Sequence, residues 1–310
     1  MKLGKEVIDE LRVRPGSPAR LTKRSPSSTR SAWLGSHGGD RPGTLAERDL
    51  EQFKDELASA QGLLYAADRW SLLLVFQGLD AAGKDGTIKH VMSGVNPQGC
   101  QVFSFKRPSA LELRHDFLWR CCLALPERGH IGIFNRSHYE EVLVVRVHPE
   151  LLEAEQLPPD VARGERLWEE RYEDINAFER HLHRNGTRVV KFFLHVSKDE
   201  QRHRLLERLD DPAKQWKFSA TDVEEHERYA DYQKAYEEAI GATSTPWAPW
   251  YVVPADHKPA MRALVAGVVV HEIERLRLDM PAPDREQLER IDAARVVLEG
   301  ERGGAAGARS

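Results

Sequence analysis

"VFQGLDAAGKDGTIKH", residues 75–90, contains the most informative pattern in the chain. Gly78, four further residues and then Gly83 and Lys84 match the G-x-x-x-x-G-K core of a phosphate-binding loop. The glycines let backbone N–H groups turn toward phosphate oxygens, and the lysine adds a positive charge. A glycine-rich turn without a ligand is the alternative. The loop follows a buried-strand run and opens a helix, and this setting favours a phosphate site.

Two carboxylates in this loop depart from the common pattern. Asp85 stands where a Ser or Thr hydroxyl usually helps to hold magnesium, and Asp80 lies inside the cradle. A carboxylate repels bare phosphates, but it binds them through a shared Mg²⁺, which takes one or two protein carboxylates plus waters and phosphate oxygens. We therefore expect Asp80 to hold Mg²⁺, for which Mn²⁺ can substitute. The alternatives are a turn-stabilising role for Asp80 and dipole complementation by Asp85.

A second motif, GHIGIFNRSHYEEV (129–142), has an apolar strand that ends in Asn135 instead of the usual metal-binding aspartate. The metal then depends more heavily on the loop carboxylate. Arg136 follows at the carboxyl end of the strand, where ligands bind in parallel sheets. Its guanidinium is suited to clamp a phosphoryl group in transfer. The alternative is an ion pair between Arg136 and Glu140 or Glu141, and both can be true.

Two further regions carry basic residues. The stretch 208–240 resembles a lid over the phosphates, because basic residues precede a helix whose start is marked by Thr221 and Glu224 as a capping box. A solvated charged face is the alternative. In SFKRPS (104–109), the second strand is followed by a loop that borders the acceptor site in nucleotide-kinase-like folds. The basic lid residues are Arg204, Arg208, Lys214 and Lys217, and the acceptor loop contains Lys106, Arg107 and Pro108.

Strand–helix alternation predicts an α/β fold with a parallel sheet covered by helices on both faces. We divide the chain into a partly irregular N-terminal arm (1–43), a catalytic domain (44–280, lid about 205–235) and a C-terminal helix with a frayed tail (281–310). The predicted strands are 71–78, 100–105, 131–135, 189–196 and 250–255. The predicted helices are 44–67, 84–95, 109–125, 166–184, 198–210, 220–240, 257–278 and one in the tail.

Composition narrows the class of protein. The net charge of −4 argues against a generally basic protein that coats nucleic acid. No apolar run approaches the roughly 18 residues of a membrane span, and the N-terminus has no signal-peptide core. The three cysteines (Cys100, Cys121, Cys122) are poorly placed for a disulfide framework. We expect a cytoplasmic protein that has neither nucleic acid nor a membrane as its partner.

Over residues 45–280 the chain resembles the family-2 polyphosphate kinases, most closely the branch often called class III, which accepts AMP and ADP. The Asn135 variant and the aspartate within the loop are features of that family. The motifs are GLDAAGKDGTIKHVMSGVNPQG, SFKRPS, HDFLWR, GIFNRSHYEEVLVVRVHPELL, ERYEDINAFERHL, KFFLHVSKDEQRHRLLERLDDPAKQWKFSATD and TSTPWAPWYVVPADHK.

The resemblance implies a P-loop kinase fold, a three-layer α/β/α arrangement with a five-stranded parallel, thymidylate-kinase-like sheet and a helical lid. It implies Mg²⁺-dependent transfer between polyphosphate and nucleotides, and a homodimer or homotetramer. Asp80, Lys84 and Arg136 would be catalytic. Phosphates would be bound by Gly78, Ala81, Ala82, Gly83, Lys84, Asp85, Gly86, Lys89, Arg208 and Lys217, and the nucleotide by Lys106, Arg107, Pro108, Asn135, Arg136, Glu140 and Glu141, of which Glu140 or Glu141 would set acceptor choice.

Three rival functions remain. An ATP-dependent nucleoside monophosphate kinase shares the fold and the loop but uses ATP as its donor. A nucleotide-dependent switch usually needs a Ser or Thr on Mg²⁺ and an acid after the second motif's strand, and this sequence lacks both. A polyphosphate-binding scaffold would bind the polymer without turning it over.

Overall fold

The computed structural model describes residues 3–28, 42–162 and 166–306. Residues 29–41 of the predicted arm and 307–310 of the predicted tail lie outside the described residues. Residues 3–278 belong to one compact unit, and a second unit begins at Asp279. Among the described helices, none is both long enough and apolar enough to cross a bilayer.

Within the described residues, five parallel strands form one sheet in the order β2-β3-β1-β4-β5. The prediction of a parallel α/β sheet is confirmed. A strand that is covered on both faces has no solvent-exposed side, so its sequence is a continuous apolar run. In β1 every residue is buried. The strands are β1 (Ser71–Gln77), β2 (Cys100–Ser104), β3 (Ile131–Asn135), β4 (Thr187–His195) and β5 (Trp250–Pro254).

Helices cover both faces of this sheet. One layer contains α2, α3 and α11, and the other contains α5, α7 and α10. The bounds are α1 (Lys5–Leu11), α2 (Pro42–Ala67), α3 (Lys84–Val91), α4 (Trp119–Cys122), α5 (Glu140–Val147), α6 (Pro159–Ala162), α7 (Leu167–Arg184), α8 (Lys198–Asp210), α9 (Thr221–Glu227), α10 (Tyr229–Thr243), α11 (Lys258–Glu274) and α12 (Arg285–Ala306).

The predicted helix over 109–125 is wrong. This stretch contains a 3₁₀ turn (Glu112–Arg114) and the four-residue α4. Ser109 and Glu112 bond each other's backbone N–H through their side chains. The Asp116 carboxylate accepts from the Leu118 N–H at 2.9 Å. These local side-chain bonds compete with helical hydrogen bonds and divide the segment.

The predicted helix over 220–240 is two helices, α9 and α10, separated at Arg228. The predicted capping box at Thr221 is also wrong. Thr221 is already the first helical residue, and no side-chain cap bonds the helix start. Instead, the Ser219 N–H donates to Asp222 Oδ2 at 3.4 Å.

The N-terminal residues pack against the outer edge of β5. Arg12 forms an antiparallel bridge with Tyr251, and the Val13 N–H donates to the Trp250 carbonyl at 2.9 Å. The Arg24 guanidinium bonds the carbonyls of Glu10 and Ala19. Residues 12–13 therefore pair with part of this edge of the sheet.

Candidate active site

The loop between β1 and α3 lies at the carboxyl end of the central strand. Gly83 has φ +103°, a left-handed conformation that suits glycine. A Cβ at Gly78 would lie 3.1 Å from both the Leu194 carbonyl oxygen and the Ala82 Cβ, closer than a side-chain carbon ordinarily packs. The two glycines of the motif are therefore required by backbone geometry.

The loop presents unpaired backbone donors. Within the described chain, at least five N–H groups on the loop and the first turn of α3 donate to no backbone or side-chain acceptor. Such a row of donors at a helix N-terminus is the usual construction of a phosphate site. The residues with these free N–H groups are Ala81, Gly83, Lys84, Asp85 and Gly86.

Lys84 is buried beneath the loop. Its Nζ donates to the carbonyl oxygens of Gly78 at 2.5 Å and Leu79 at 3.2 Å. Burial, and after it the neighbouring charge of Arg136, lowers the pKa of Lys84. The ammonium is thus bound to neutral carbonyl oxygens, and an anionic ligand would be a better partner for its charge.

Asp80 and Arg136 form an ion pair, with Arg136 Nη2 2.6 Å from Asp80 Oδ1. Arg136 has φ +64°, which is uncommon for a residue with a side chain, and its N–H donates to the Phe76 carbonyl. Burial would raise the pKa of Asp80, but the positive charges of Lys84 and Arg136 outweigh burial and lower it. Asp80 is therefore a carboxylate at neutral pH.

Magnesium was predicted at Asp80, and the donor chemistry there fits the ion. None of the described residues donates a hydrogen bond to Asp80 Oδ2, so this oxygen is free for a cation. No group of three or more acidic, histidine or cysteine residues that could hold a metal occurs in the described chain. A site with one protein carboxylate suits Mg²⁺, which takes its other ligands from phosphate and water.

Asp85 links three elements. Asn135 at the end of β3 donates to Asp85 Oδ1 at 2.8 Å, and Lys217 Nζ lies 3.7 Å from Asp85 Oδ2. The Asp85 side chain is 70% exposed. It is therefore open to solvent while it pairs with a lysine of the predicted lid.

The lid segment runs from α8 through a 3₁₀ turn (Gln215–Lys217) to α9. Arg208 on α8 pairs with Asp222 on α9 at 2.6 Å. Burial, and after it the nearby charge of Asp80, raises the pKa of Asp222. Lys217 lies 5.2 Å from the centre of the Trp216 ring, which is 77% exposed.

A cleft follows β2 on the other side of the site. Arg120 donates to the Lys106 carbonyl at 2.9 Å, and its Nη2 lies 3.5 Å from Glu141 Oε1. The side chains of Lys106 and Arg107 are exposed and form no hydrogen bond or ion pair in the described chain. The cleft is lined by Pro108, Glu112, Leu113, His115, Asp116, Phe117, Arg120, Glu141 and Glu155.

The structure separates the two glutamates that the sequence left undecided. Glu140 faces the phosphate side, 3.9 Å from Arg136. Glu141 faces the cleft, and burial followed by the charge of Glu155 raises its pKa to about 7. Of these two glutamates, Glu141 lines the cleft beside the acceptor loop and Glu140 does not.

A model of the family described as polyphosphate kinase 2 matches residues 44–280. The chain belongs to the polyphosphate kinase 2 family. The ADP-polyphosphate phosphotransferase of Rhodopseudomonas palustris is 57% identical over 227 residues, which is 73% of this chain and 78% of that protein. The AMP/ADP-polyphosphate phosphotransferase of Meiothermus ruber is 43% identical over 277 residues, covering 89% and 97% of the two chains.

A solved structure of the polyphosphate kinase 2 family has the same fold. The crystal structure of polyphosphate kinase 2 from Arthrobacter aurescens superimposes with a TM-score of 0.82 at 36% identity, covering 96% of this chain and 98% of that one. The chain therefore has the P-loop kinase fold of this family, as the sequence motifs predicted.

Most of the predicted site residues meet at one end of the sheet, and the role predicted for Lys89 stays a prediction. Lys89 lies on the exposed face of α3 and forms no hydrogen bond or ion pair in the described chain. Arg204, which the sequence grouped with the lid, is buried and donates to carbonyls of the loop. Arg120, Gln201 and Asp222 lie within the quoted motifs, but the motifs alone assign them no role, because their partners come from distant parts of the chain.

Proposed function

We propose that this protein transfers the terminal phosphoryl group of inorganic polyphosphate to AMP and ADP in a reversible, Mg²⁺-dependent reaction. The observation that carries the proposal is the juxtaposition of free loop N–H groups, Lys84 and the Asp80–Arg136 pair at the carboxyl end of β1. The Meiothermus relative, named for both AMP and ADP, supports the choice of acceptors.

Each residue of this group has a distinct part in the transfer. The loop N–H groups and Lys84 bind phosphate oxygens and hold the donor in line with the acceptor. Asp80 would hold Mg²⁺, which neutralises charge on the phosphate oxygens when it is bound. The Arg136 guanidinium leaves Asp80, binds the oxygens of the phosphoryl group and stabilises the charge that develops on them.

The Asp80–Arg136 pair keeps both side chains neutralised when substrate is absent. An unpaired, partly buried guanidinium beside the buried ammonium of Lys84 would be costly. Because the pair is still partly open to solvent, with 39% and 29% of the side chains exposed, it can be broken by an incoming anion. The bond broken and the bond formed in the reaction are both phosphoanhydrides, so concentrations set the direction.

Glu141 is the residue that we assign to acceptor choice. It lies in the cleft beside Pro108, between Arg120 and Arg171, whose Nη1 is 4.0 Å from Glu141 Oε2. A carboxylate that is buried at this place determines where positive and hydrogen-bonding groups point in the cleft. Glu140, which faces Arg136, acts on the phosphate side instead.

The deciding experiment incubates purified protein with AMP, long-chain polyphosphate and Mg²⁺. We expect ADP to appear first and ATP after it, and we expect Lys84→Ala to abolish both. A parallel reaction with ATP replacing polyphosphate tests the rival kinase. The proposal would be refuted if AMP were phosphorylated with ATP but not with polyphosphate. It would also be refuted if the protein bound polyphosphate without turning it over.

We also propose that the enzyme acts in the cytoplasm as a homodimer or homotetramer, with neither nucleic acid nor a membrane as a partner. The three cysteines are free thiols, which suits a reducing compartment. The resemblance to the family supports the oligomer. Light scattering at several protein concentrations measures the mass, and a monomer throughout would refute an oligomeric state.

A further inference from the structure

Two buried polar side chains of α8 lie behind the phosphate-binding loop. Gln201 is fully buried and Arg204 is 6% exposed. Gln201 Nε2 donates to the Asp80 carbonyl at 3.1 Å. Arg204 Nη1 donates to the carbonyls of Ala81 at 3.1 Å and Ala82 at 2.9 Å. Three consecutive carbonyls of the loop are thus bound from behind by one helix.

The direction of these carbonyls fixes the direction of the loop's donors. Each peptide group is planar, with its C=O and the next residue's N–H on opposite sides. Carbonyls held toward α8 therefore turn the following N–H groups away from α8. Two of these, on Ala81 and Gly83, are among the free donors of the cradle. The third, on Ala82, closes a turn with the Leu79 carbonyl at 3.0 Å.

The conformation that results is not one that the loop would adopt unaided. Ala81 has φ +63°, a left-handed conformation that costs free energy for a residue with a Cβ. Such a conformation persists only when surrounding contacts over-determine it. The bonds from Arg204 and Gln201 to Ala81 and its neighbours are contacts of this kind.

Both side chains are themselves anchored to other elements. Arg204 Nη2 donates to the carbonyls of Ala255 at 2.6 Å and Asp256 at 3.0 Å, just after β5. Gln201 Oε1 lies 2.8 Å from Nδ1 of His226 on α9, which orients the amide so that its Nε2 faces the loop. The loop is therefore tied to the end of the sheet and to the lid helix.

We propose that Gln201 and Arg204 are positioning residues that hold the phosphate-binding loop in its ligand-ready conformation. They act through the loop backbone and do not touch the substrate. The inference rests on the proposed function, since it assumes that the loop N–H groups bind phosphate. It adds two residues of α8 to the machinery of the site.

The test compares Gln201→Met and Arg204→Met with a control variant, Arg202→Met. The control makes the same substitution as Arg204→Met at an exposed position of the same helix. We measure KM for polyphosphate and for AMP, kcat, and binding of inorganic tripolyphosphate with Mg²⁺ by calorimetry. We expect both buried variants to raise the polyphosphate KM and the tripolyphosphate Kd about tenfold or more, with the AMP KM unchanged. Arg202→Met should match the wild type.

Gln201→Met distinguishes positioning from simple attraction, because it removes no charge. It also keeps the proposal testable if Arg204→Met fails to fold. A lower melting temperature with unchanged polyphosphate KM and tripolyphosphate Kd would mean that the two residues are only structural, and would overturn the proposal. Lys84→Ala separates this failure from failure of the proposed function. If Lys84→Ala also leaves tripolyphosphate binding unchanged, the loop is not the phosphate site at all.

Discussion

At the scale of single residues, Asp80 has two possible partners, Arg136 in the structure and a cation in the proposed reaction. Asp80→Asn keeps the size of the side chain and removes its charge. We expect kcat to fall by about two orders of magnitude or more, since one lost charge-stabilising group typically costs that much. Folding should change little, because the ion pair is partly exposed. Steady-state assays over a range of Mg²⁺ concentrations, together with melting curves, measure both effects.

The control for this variant is Asp174→Asn, at an exposed aspartate of α7, outside the lid. It should retain wild-type rates. Wild-type rates in Asp80→Asn at every Mg²⁺ concentration would contradict the assignment of the carboxylate to the metal.

Glu141 makes a second residue-scale prediction, which concerns pH. Its pKa is about 7 in the folded protein against an ordinary value of 4.5, because of burial and the charge of Glu155. Between these values the folded state keeps a proton that the unfolded state releases, so this group's contribution to stability falls as the pH rises from about 4.5 to 7. Glu141→Gln removes the cost of ionisation. The melting temperature of the variant minus that of the wild type should be more positive at pH 8 than at pH 5.

Glu153→Gln, the same substitution at an exposed glutamate, is the matched control for the change of side chain itself. An equal shift for Glu141→Gln at pH 5 and pH 8 would show that Glu141 titrates normally.

At the scale of elements, the sequence predicts what local patterns determine. β1 and β3 were found because strands covered on both faces are continuous apolar runs, and the phosphate-binding loop because its motif is contiguous. The helix predicted over 109–125 does not form as one helix. Side-chain hydrogen bonds, such as that from the Leu118 N–H to the Asp116 carboxylate, override the helical spacing of its apolar residues. Hydrophobic spacing does not reveal such bonds.

Sequence patterns do not predict the roles of residues that depend on tertiary contacts. Arg204 was grouped with the lid because it precedes other basic residues, but folding places it behind the loop. Glu140 and Glu141 could not be separated, although a step of one residue on a helix turns the side chain by about 100°. That turn places Glu140 toward Arg136 and Glu141 toward the cleft.

At the scale of the whole molecule, the N-terminal segment (residues 3–28) contributes to the hydrophobic core of the compact unit formed by residues 3–278. Val7, Ile8 and Leu11 of α1 are buried in the same apolar cluster as β5 and α11. The segment also occupies the edge of β5, which would otherwise expose unpaired backbone groups. Because one hydrophobic core joins these parts, the N-terminal segment should unfold together with the catalytic domain.

Ile8→Ala tests whether the N-terminal segment and the catalytic domain unfold together. It removes buried methylene and methyl groups at a residue that is 3% exposed, so we expect a loss of about 2–4 kcal/mol in the free energy of unfolding. Asp9→Ala, on the exposed face of the same helix, should cost far less. Urea unfolding followed by circular dichroism and by tryptophan fluorescence should give coincident midpoints for each variant, with both midpoints lowered in Ile8→Ala. If Ile8→Ala is as stable as Asp9→Ala, or lowers only one of the two midpoints, the N-terminal segment folds apart from the catalytic domain.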